Sequence, residues 1–162
     1  ELLNYAFKKN EGPFAIRYER GTAEYNFEDG ITDKVATLNW KLLNKGEKAT
    51  FISFGSILNK VQEKLKNEDV EVVNAISIKP LDEEKLLAIA KKKTPIIIYE
   101  ESSLLGGFGS SILEFYAMHG IQTNITLMGI KDAFVPQGTK EELLQSLELD
   151  PESVLRKVKS VL

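Results

Sequence analysis

The chain contains no cysteine and one histidine, His119, in 162 residues. Without cysteine it can form no disulfide, no thiolate metal site and no cysteine nucleophile, and a single histidine argues against a zinc site. It also lacks an apolar run long enough to span a membrane, and its first residues lack the charged and apolar segments of a signal peptide. We therefore expect a soluble cytoplasmic protein that binds no metal of its own and contacts no membrane.

The chain also has little excess charge of either sign. Its 21 Lys and Arg residues against 24 Asp and Glu residues give a formal charge of -3, and its isoelectric point is about 5.4. Nucleic-acid-binding domains present a basic surface, so we expect no nucleic acid partner. Lysines alternate with acids in segments 61–71 and 82–93, which is typical of solvated helix faces.

Hydrophobic periodicity predicts strands that alternate with helices from residue 34 onward. The predicted strands are 38–43, 49–54, 70–78, 96–99 and 123–128, and the predicted helices are 57–66, 82–92, 140–147, 151–161 and one that follows a glycine-rich turn near residue 107. Strands that alternate with helices of about ten residues imply crossovers between parallel strands. We therefore predict a three-layer α/β fold with a mostly parallel sheet and helices on both faces.

The first 33 residues do not follow this alternation. Residues 1–10 have helical spacing, and 14–18 predict a short strand. The apolar residues of the helix lie on one side: Leu2, Leu3, Ala6 and Phe7. Residues 21–33 are polar and lack a period, which indicates a linker. We expect residues 1–20 to be the end of a preceding domain and 34–162 to be a second domain, so that the chain is a fragment.

The strand at 96–99 leads into a turn whose glycines permit positive φ and close backbone approach. These glycines are Gly106, Gly107 and Gly109, and the helix that follows them could hold an anion at its N-terminus. The dinucleotide-binding fingerprint is incomplete, because Ile112 stands at the position of its last glycine. We therefore favour a turn that packs the helix tightly on the sheet over a nucleotide site.

Glu100 and Glu101 directly follow the strand predicted at 96–99. Neighbours on a strand point to opposite faces, so the two could act together as acid and base only if the strand had already ended. We favour the alternative that one of them meets a lysine or an arginine across a domain interface. Both glutamates, with Gly106, Gly107 and Gly109, are therefore our candidates for an interface.

Two further positions invite a functional interpretation. His119 precedes Gly120 near a helix end, where a cation suits the helix dipole, and we predict a surface cap rather than a catalytic base. Arg20 follows the first predicted strand, where its guanidinium can bind a phosphate or a carboxylate. An ion pair with the linker acids Glu24 or Glu28 explains Arg20 equally well from the residues alone.

Five segments, in this order and at these spacings, resemble the carboxyl-terminal part of the 1-deoxy-D-xylulose-5-phosphate synthase family, which belongs to the transketolase superfamily. They are GPFAIRYERG, FISFGS, SIKPLDEE, YEESSLLGGFGSSILEF and GIKDAFVPQGTKEELL, and they extend over essentially the whole chain. The resemblance implies that residues 1–20 end a pyrimidine-binding domain, that 21–33 form a linker and that 34–162 form a C-terminal transketolase domain.

The resemblance also implies a function. Enzymes of this family condense pyruvate with glyceraldehyde 3-phosphate, use thiamine diphosphate and magnesium, and supply isoprenoid and thiamine synthesis. The arginine that holds the substrate phosphate falls on Arg20, beside Glu19 where the family usually has proline. The cofactor and metal site would precede Glu1, so we expect no catalytic residue, bound cofactor or metal in this chain.

As partners, the resemblance implies the upstream domains of the same enzyme and a second copy in a homodimer. Two alternatives stay open. One is the C-terminal domain of a 2-oxoacid dehydrogenase beta subunit, which the IRYERG and VPQGTKEEL segments argue against. The other is a free-standing regulatory module for a small ligand.

Overall fold

The structure is a computed structural model that describes residues 2–9, 12–18 and 38–162. The chain divides into two compact units, Glu1–Leu38 and Asn39–Leu162. In the first unit, helix α1 spans Leu2–Lys9 and buries none of its residues. Residues 13–18 form no strand, contrary to the prediction, since no described strand pairs with them and strands are stabilised by such pairing. The predicted linker and Arg20 lie outside the described residues.

The second unit follows the predicted alternation of strands and helices. Its elements are β1 (Lys41–Asn44), β2 (Ala49–Ser53), α2 (Ile57–Leu65), β3 (Val70–Asn74), α3 (Glu83–Lys91), β4 (Ile96–Ser103), α4 (Phe108–Met118), β5 (Ile125–Ile130), α5 (Lys140–Ser146) and α6 (Pro151–Val161). The predicted helix bounds agree closely with these. The strand bounds agree less well, because β1 begins at Lys41 rather than at residue 38 and β3 ends at Asn74 rather than at residue 78.

The five strands of the described sheet lie in the order β1-β3-β2-β4-β5. Strand β1 is antiparallel to β3 at one edge, and the other neighbouring pairs are parallel. The central strand β2 is buried at every position, as expected for a strand with both faces covered. This arrangement confirms the predicted mostly parallel sheet.

The sheet has a separate apolar layer on each face. On one face, Phe51 and Ile97 pack with residues of α2, α5 and α6. On the other face, Ile52 and Ile98 pack with residues of α3 and α4, including the fully buried Ile112. The fold is therefore the predicted three-layer α/β sandwich, and Ile112 is a core residue of it.

Polar side chains cap the starts of three helices of the second unit, Asp82 at α3, Thr139 at α5 and Asp150 at α6. Burial raises the pKa of Asp150, but hydrogen bonds from Ser153 and Glu152 outweigh it and leave the pKa below its usual value. Because the pKa of Asp150 is lowered by folding, its ionised carboxylate stabilises the folded state at pH values above the unfolded-state pKa. This stabilisation is lost as the pH falls through the folded-state pKa. Helix α4 has no such side chain at its capping position, which is Gly107.

Candidate functional site

The carboxyl ends of the parallel strands meet at one edge of the sheet, where ligands bind in folds of this class. Helices α2 and α4 leave the neighbouring strands β2 and β4 toward opposite faces, so the ends of these two strands form the topological switch point. Phe108, the first residue of α4, packs here against Phe54 and Trp40 with ring centroids 5.3 and 5.6 Å apart. Phe108 and Trp40 are buried, so apolar packing dominates at the switch point.

The carboxylate of Glu100 occupies the N-terminus of α4. Its Oε2 accepts hydrogen bonds from the Phe108 backbone N–H at 2.9 Å and from the Ser102 hydroxyl at 2.6 Å, and its Oε1 accepts one from the Gly109 N–H at 2.9 Å. A helix N-terminus presents unpaired N–H groups and a partial positive charge, which favour an anion. The anion held here is a side chain of the protein itself, and Glu100 is only 1% exposed.

The glycines around Glu100 are required by close contacts rather than by a ligand. A Cβ on Gly107 would lie 2.2 Å from the Ser103 carbonyl oxygen and 2.4 Å from Glu100 Oε2. A Cβ on Gly109 would lie 2.7 Å from a methyl of Leu127. The turn is therefore shaped to enclose the Glu100 carboxylate.

Gly129, which follows the strand predicted at 123–128, also contacts this site. It lies within β5, and a Cβ there would be 3.1 Å from Glu100 Cγ and 2.7 Å from a methyl of Leu104. A glycine in the interior of a strand marks a close approach of another group. Gly129 therefore leaves room for the Glu100 side chain at this edge of the sheet.

Glu101 points to the opposite face of the sheet, as strand alternation predicts. Its Oε2 lies 3.1 Å from the Nζ of Lys140, the first residue of α5. Glu100 and Glu101 therefore belong to different surroundings and do not form an acid and base pair. The expectation that these glutamates and the glycine turn contribute to a domain interface stays a prediction.

Tyr99 joins β4 to the connection between α5 and α6 on the Glu101 face. Its hydroxyl donates a hydrogen bond to the Leu149 carbonyl oxygen at 2.9 Å. Burial raises the pKa of Tyr99, and the nearby carboxylates of Glu101 and Asp150 raise it further. The hydroxyl is therefore protonated over the ordinary pH range and serves as a structural donor.

His119 ends α4 and is exposed. Its Nδ1 lies 2.8 Å from the Phe115 carbonyl oxygen, and its ring packs on the Phe115 ring with centroids 4.2 Å apart. These contacts match the predicted surface cap.

Arg20, the candidate phosphate ligand, lies outside the described residues, so its position relative to the sheet stays a prediction.

The described ranges 2–9, 12–18 and 38–162 contain no cluster of three or more His, Asp or Glu side chains arranged to hold a metal ion. Within the same ranges no helix has the length and apolar character needed to cross a membrane.

Comparison with known proteins shows which family this chain resembles. Residues 38–154 match the family described as transketolase, C-terminal domain. The chain is 38% identical over 150 residues to the 1-deoxy-D-xylulose-5-phosphate synthase of Shouchella clausii, covering 90% of this chain and 24% of that protein. It is 41% identical over 157 residues to the synthase of Thermotoga petrophila, covering 95% of this chain and 25% of that protein.

The chain thus spans about a quarter of the length of these relatives and corresponds to their carboxyl-terminal part. A solved structure described as a split gene transketolase, inactive beta4 tetramer, is similar with a TM-score of 0.68 and 26% identity. That similarity covers 76% of this chain and 42% of the other. The resemblance inferred from the five sequence segments is confirmed, and the chain belongs to the transketolase C-terminal domain family.

Proposed function

We propose that this chain is the carboxyl-terminal part of a 1-deoxy-D-xylulose-5-phosphate synthase and serves that enzyme as a noncatalytic scaffold. The observation that carries the proposal is the continuous similarity of 90% and 95% of the chain to the carboxyl-terminal quarter of two such synthases. Similarity to these synthases over nearly the whole chain favours this function over a 2-oxoacid dehydrogenase subunit or a free-standing regulatory module.

The geometry at the carboxyl edge of the sheet supports a scaffold role. The polar group best placed to attract a ligand there, the N-terminus of α4, already binds the Glu100 carboxylate through two backbone N–H groups. The neighbouring switch point is packed with aromatic rings. The chemistry of such an enzyme would therefore be carried out by residues outside the described part of this chain.

In the proposed full-length enzyme, thiamine diphosphate with magnesium supplies the carbanion chemistry that joins pyruvate to glyceraldehyde 3-phosphate, and the product serves isoprenoid and thiamine synthesis. The described residues do not fit this cofactor. A diphosphate at the N-terminus of α4 would meet the Glu100 carboxylate, and the described ranges contain no carboxylate cluster for the metal. No step of the reaction is therefore assigned to these residues.

We expect the 162-residue chain to bind no thiamine diphosphate in the presence of magnesium. The reason is that the N-terminus of α4, at the switch point, is already filled by the Glu100 carboxylate. Isothermal titration calorimetry on the folded chain, with folding checked by circular dichroism on the same sample, measures this directly. Binding in the micromolar range would contradict the scaffold role.

We propose that Arg20 holds the phosphate of glyceraldehyde 3-phosphate. In the full-length enzyme, Arg20→Ala should raise the KM for this substrate about tenfold to a hundredfold, since a charge-assisted hydrogen bond contributes about 1.5–3 kcal/mol and about 1.4 kcal/mol corresponds to tenfold. The KM for pyruvate should change little. Steady-state kinetics with each substrate varied in turn gives both values.

Arg17→Ala is the matched control for Arg20. It removes the same kind of side chain from a neighbouring position in the sequence, and Arg17 is exposed. We expect it to leave the KM for glyceraldehyde 3-phosphate unchanged. Equal KM values for the wild-type enzyme and Arg20→Ala would remove Arg20 from the substrate site.

We also propose that the enzyme is a cytoplasmic homodimer whose partner contacts include this domain. The similar solved structure is described as a beta4 tetramer, which supports assembly between chains of this fold.

A further inference from the structure

The sulfur of this chain belongs to two methionines, Met118 and Met128. Because the chain contains no cysteine, these thioethers are the groups that a peroxide attacks most readily. A thioether has no proton to lose, so its reaction needs no neighbouring base, in contrast to a thiol, which must first ionise. Access of the oxidant therefore decides which of the two methionines reacts.

The fold places the two methionines in opposite surroundings. Met118 is the last residue of α4 and is 79% exposed. Met128 lies in β5 opposite Tyr99 of β4 and is 8% exposed. It belongs to the apolar layer that also contains Phe51 and Leu149. The exposed fractions of the two residues, 79% and 8%, differ about tenfold, so a peroxide in solution reaches the Met118 sulfur far more often.

The end of α4 is held by groups other than the Met118 side chain. Gly120 follows the helix with φ of +65°, the left-handed conformation that commonly ends helices. Its N–H donates a hydrogen bond to the Ala117 carbonyl oxygen at 3.1 Å. On the buried side of the helix, the Tyr116 hydroxyl donates to the Leu86 carbonyl oxygen at 2.9 Å. A change at the Met118 sulfur therefore leaves the contacts that fix this end of α4.

We propose that Met118 is a site of reversible oxidation by peroxides. A lone pair of its sulfur attacks one oxygen of hydrogen peroxide, the O–O bond breaks, and the sulfoxide and one water molecule form. The sulfur loses the two electrons that the peroxide gains. In the reverse step, catalysed by methionine sulfoxide reductases, two thiols are oxidised to a disulfide while the sulfoxide is reduced to the thioether and water is released. The inference does not depend on the proposed function.

Oxidation changes the surface of α4 and leaves its packing. The thioether is apolar, whereas the sulfoxide is polar and accepts hydrogen bonds. Met118 shares the exposed side of the helix with Leu113, which is 41% exposed, and with Ala117. The sequence of α4 contains one charged residue, Glu114. A sulfoxide at Met118 therefore makes a mostly uncharged, partly apolar surface more polar.

The first test treats the folded 162-residue chain with hydrogen peroxide for a series of times and stops each reaction with catalase. Mass spectrometry of the peptides then gives the sulfoxide fraction at each methionine. We expect Met118 to react about tenfold faster than Met128 or more, in line with their exposure. Comparable rates for the two residues, or a faster reaction at Met128, would overturn the proposal.

The same reaction in concentrated guanidinium chloride is the control for the role of the fold. Unfolding exposes both thioethers, so the rates at Met118 and Met128 should converge. Circular dichroism on the same samples shows that the chain is folded in the first experiment and unfolded in this one. If the difference in rate persisted in the unfolded chain, the neighbours in sequence would set it, and the assignment to the exposed end of α4 would be wrong.

Met118→Leu and Met128→Leu are matched variants, since leucine is an apolar replacement of similar volume. Met118→Leu should abolish the fast reaction, and Met128→Leu should retain it. Because Met118 is exposed, Met118→Leu should also keep the urea midpoint of the wild-type chain. Fast oxidation that persists in Met118→Leu would assign the reactive sulfur to Met128 and contradict the proposal.

The last test concerns the fold of the oxidised chain and the reversal of the reaction. The chain oxidised at Met118 should keep the circular dichroism spectrum and the urea midpoint of the reduced chain, and should elute earlier from a hydrophobic interaction column. Treatment with the two methionine sulfoxide reductases, one for each epimer, and dithiothreitol should restore the original mass and elution. Unfolding on oxidation of Met118, or a sulfoxide that these enzymes do not reduce in the folded chain, would overturn the reversible site.

Discussion

Gly107→Ala should destabilise the second unit severely, by on the order of 3 kcal/mol or more, in the range of substitutions that force a clash in a packed site. The added Cβ would lie 2.2 Å from the Ser103 carbonyl oxygen and 2.4 Å from Glu100 Oε2. Neither atom can move freely, because Ser103 is held in β4 and the Glu100 carboxylate accepts hydrogen bonds from Phe108 and Gly109. Relieving the clash therefore breaks the contact between β4 and the N-terminus of α4. Urea unfolding followed by circular dichroism measures the loss.

Gly106→Ala is the control at the neighbouring position. Gly106 has φ of +68°, and a Cβ there would meet nothing within 4 Å. Alanine at this position costs only the strain of a left-handed conformation, roughly 1–2 kcal/mol. Equal losses for the two variants would show that glycine is needed in this turn for its backbone freedom alone and not for space beside Glu100.

Helix positions in this fold could be predicted because their determinants are local. Asp150 followed by Pro151 marks the start of α6, and the helix begins there in the structure with Asp150 as its cap. Apolar residues at helical spacing then fix which side of each helix packs on the sheet. No distant contact is needed to define these bounds.

The strand ends depend on distant partners and were harder to predict. Residues 75–78 continue the apolar run of β3, yet the strand ends at Asn74. The Ser77 carbonyl oxygen accepts a hydrogen bond from Trp40 Nε1 at 2.9 Å instead of a strand neighbour. Periodicity also cannot reveal strand direction, so the antiparallel pairing of β1 with β3 appears only in the structure.

The candidate site was predicted in part. The sequence predicted the glycines of the turn, the incomplete nucleotide fingerprint and the opposite directions of Glu100 and Glu101. It did not predict the carboxylate at the N-terminus of α4, because Glu100 is eight residues before Phe108 and reaches it only through the fold of the turn. A carboxylate in a strand that leads into a glycine-rich helix start is the signal that would have indicated it.

Replacing Glu100 tests whether this carboxylate is the main determinant of the site. Glu100→Ala should cost about 3–5 kcal/mol, since it leaves the buried N–H groups of Phe108 and Gly109 without an acceptor and opens a cavity. Glu100→Gln keeps the shape but turns an NH₂ group toward one of these donors, and should cost about 2–3 kcal/mol. The fold of the other layer, built on α2 and α6, should persist in both variants, which hydrogen exchange resolved by residue can show.

Glu101→Gln provides the comparison one residue along the same strand. Glu101 forms an ion pair with Lys140 at 3.1 Å, and its side chain is 30% exposed, so solvent screens the pair and the expected cost is below about 1 kcal/mol. The two substitutions change the same atoms and differ only in the face of β4 on which they act. A larger loss for Glu101→Gln than for Glu100→Gln would mean that the ion pair to α5, and not the carboxylate at the start of α4, secures this end of the sheet.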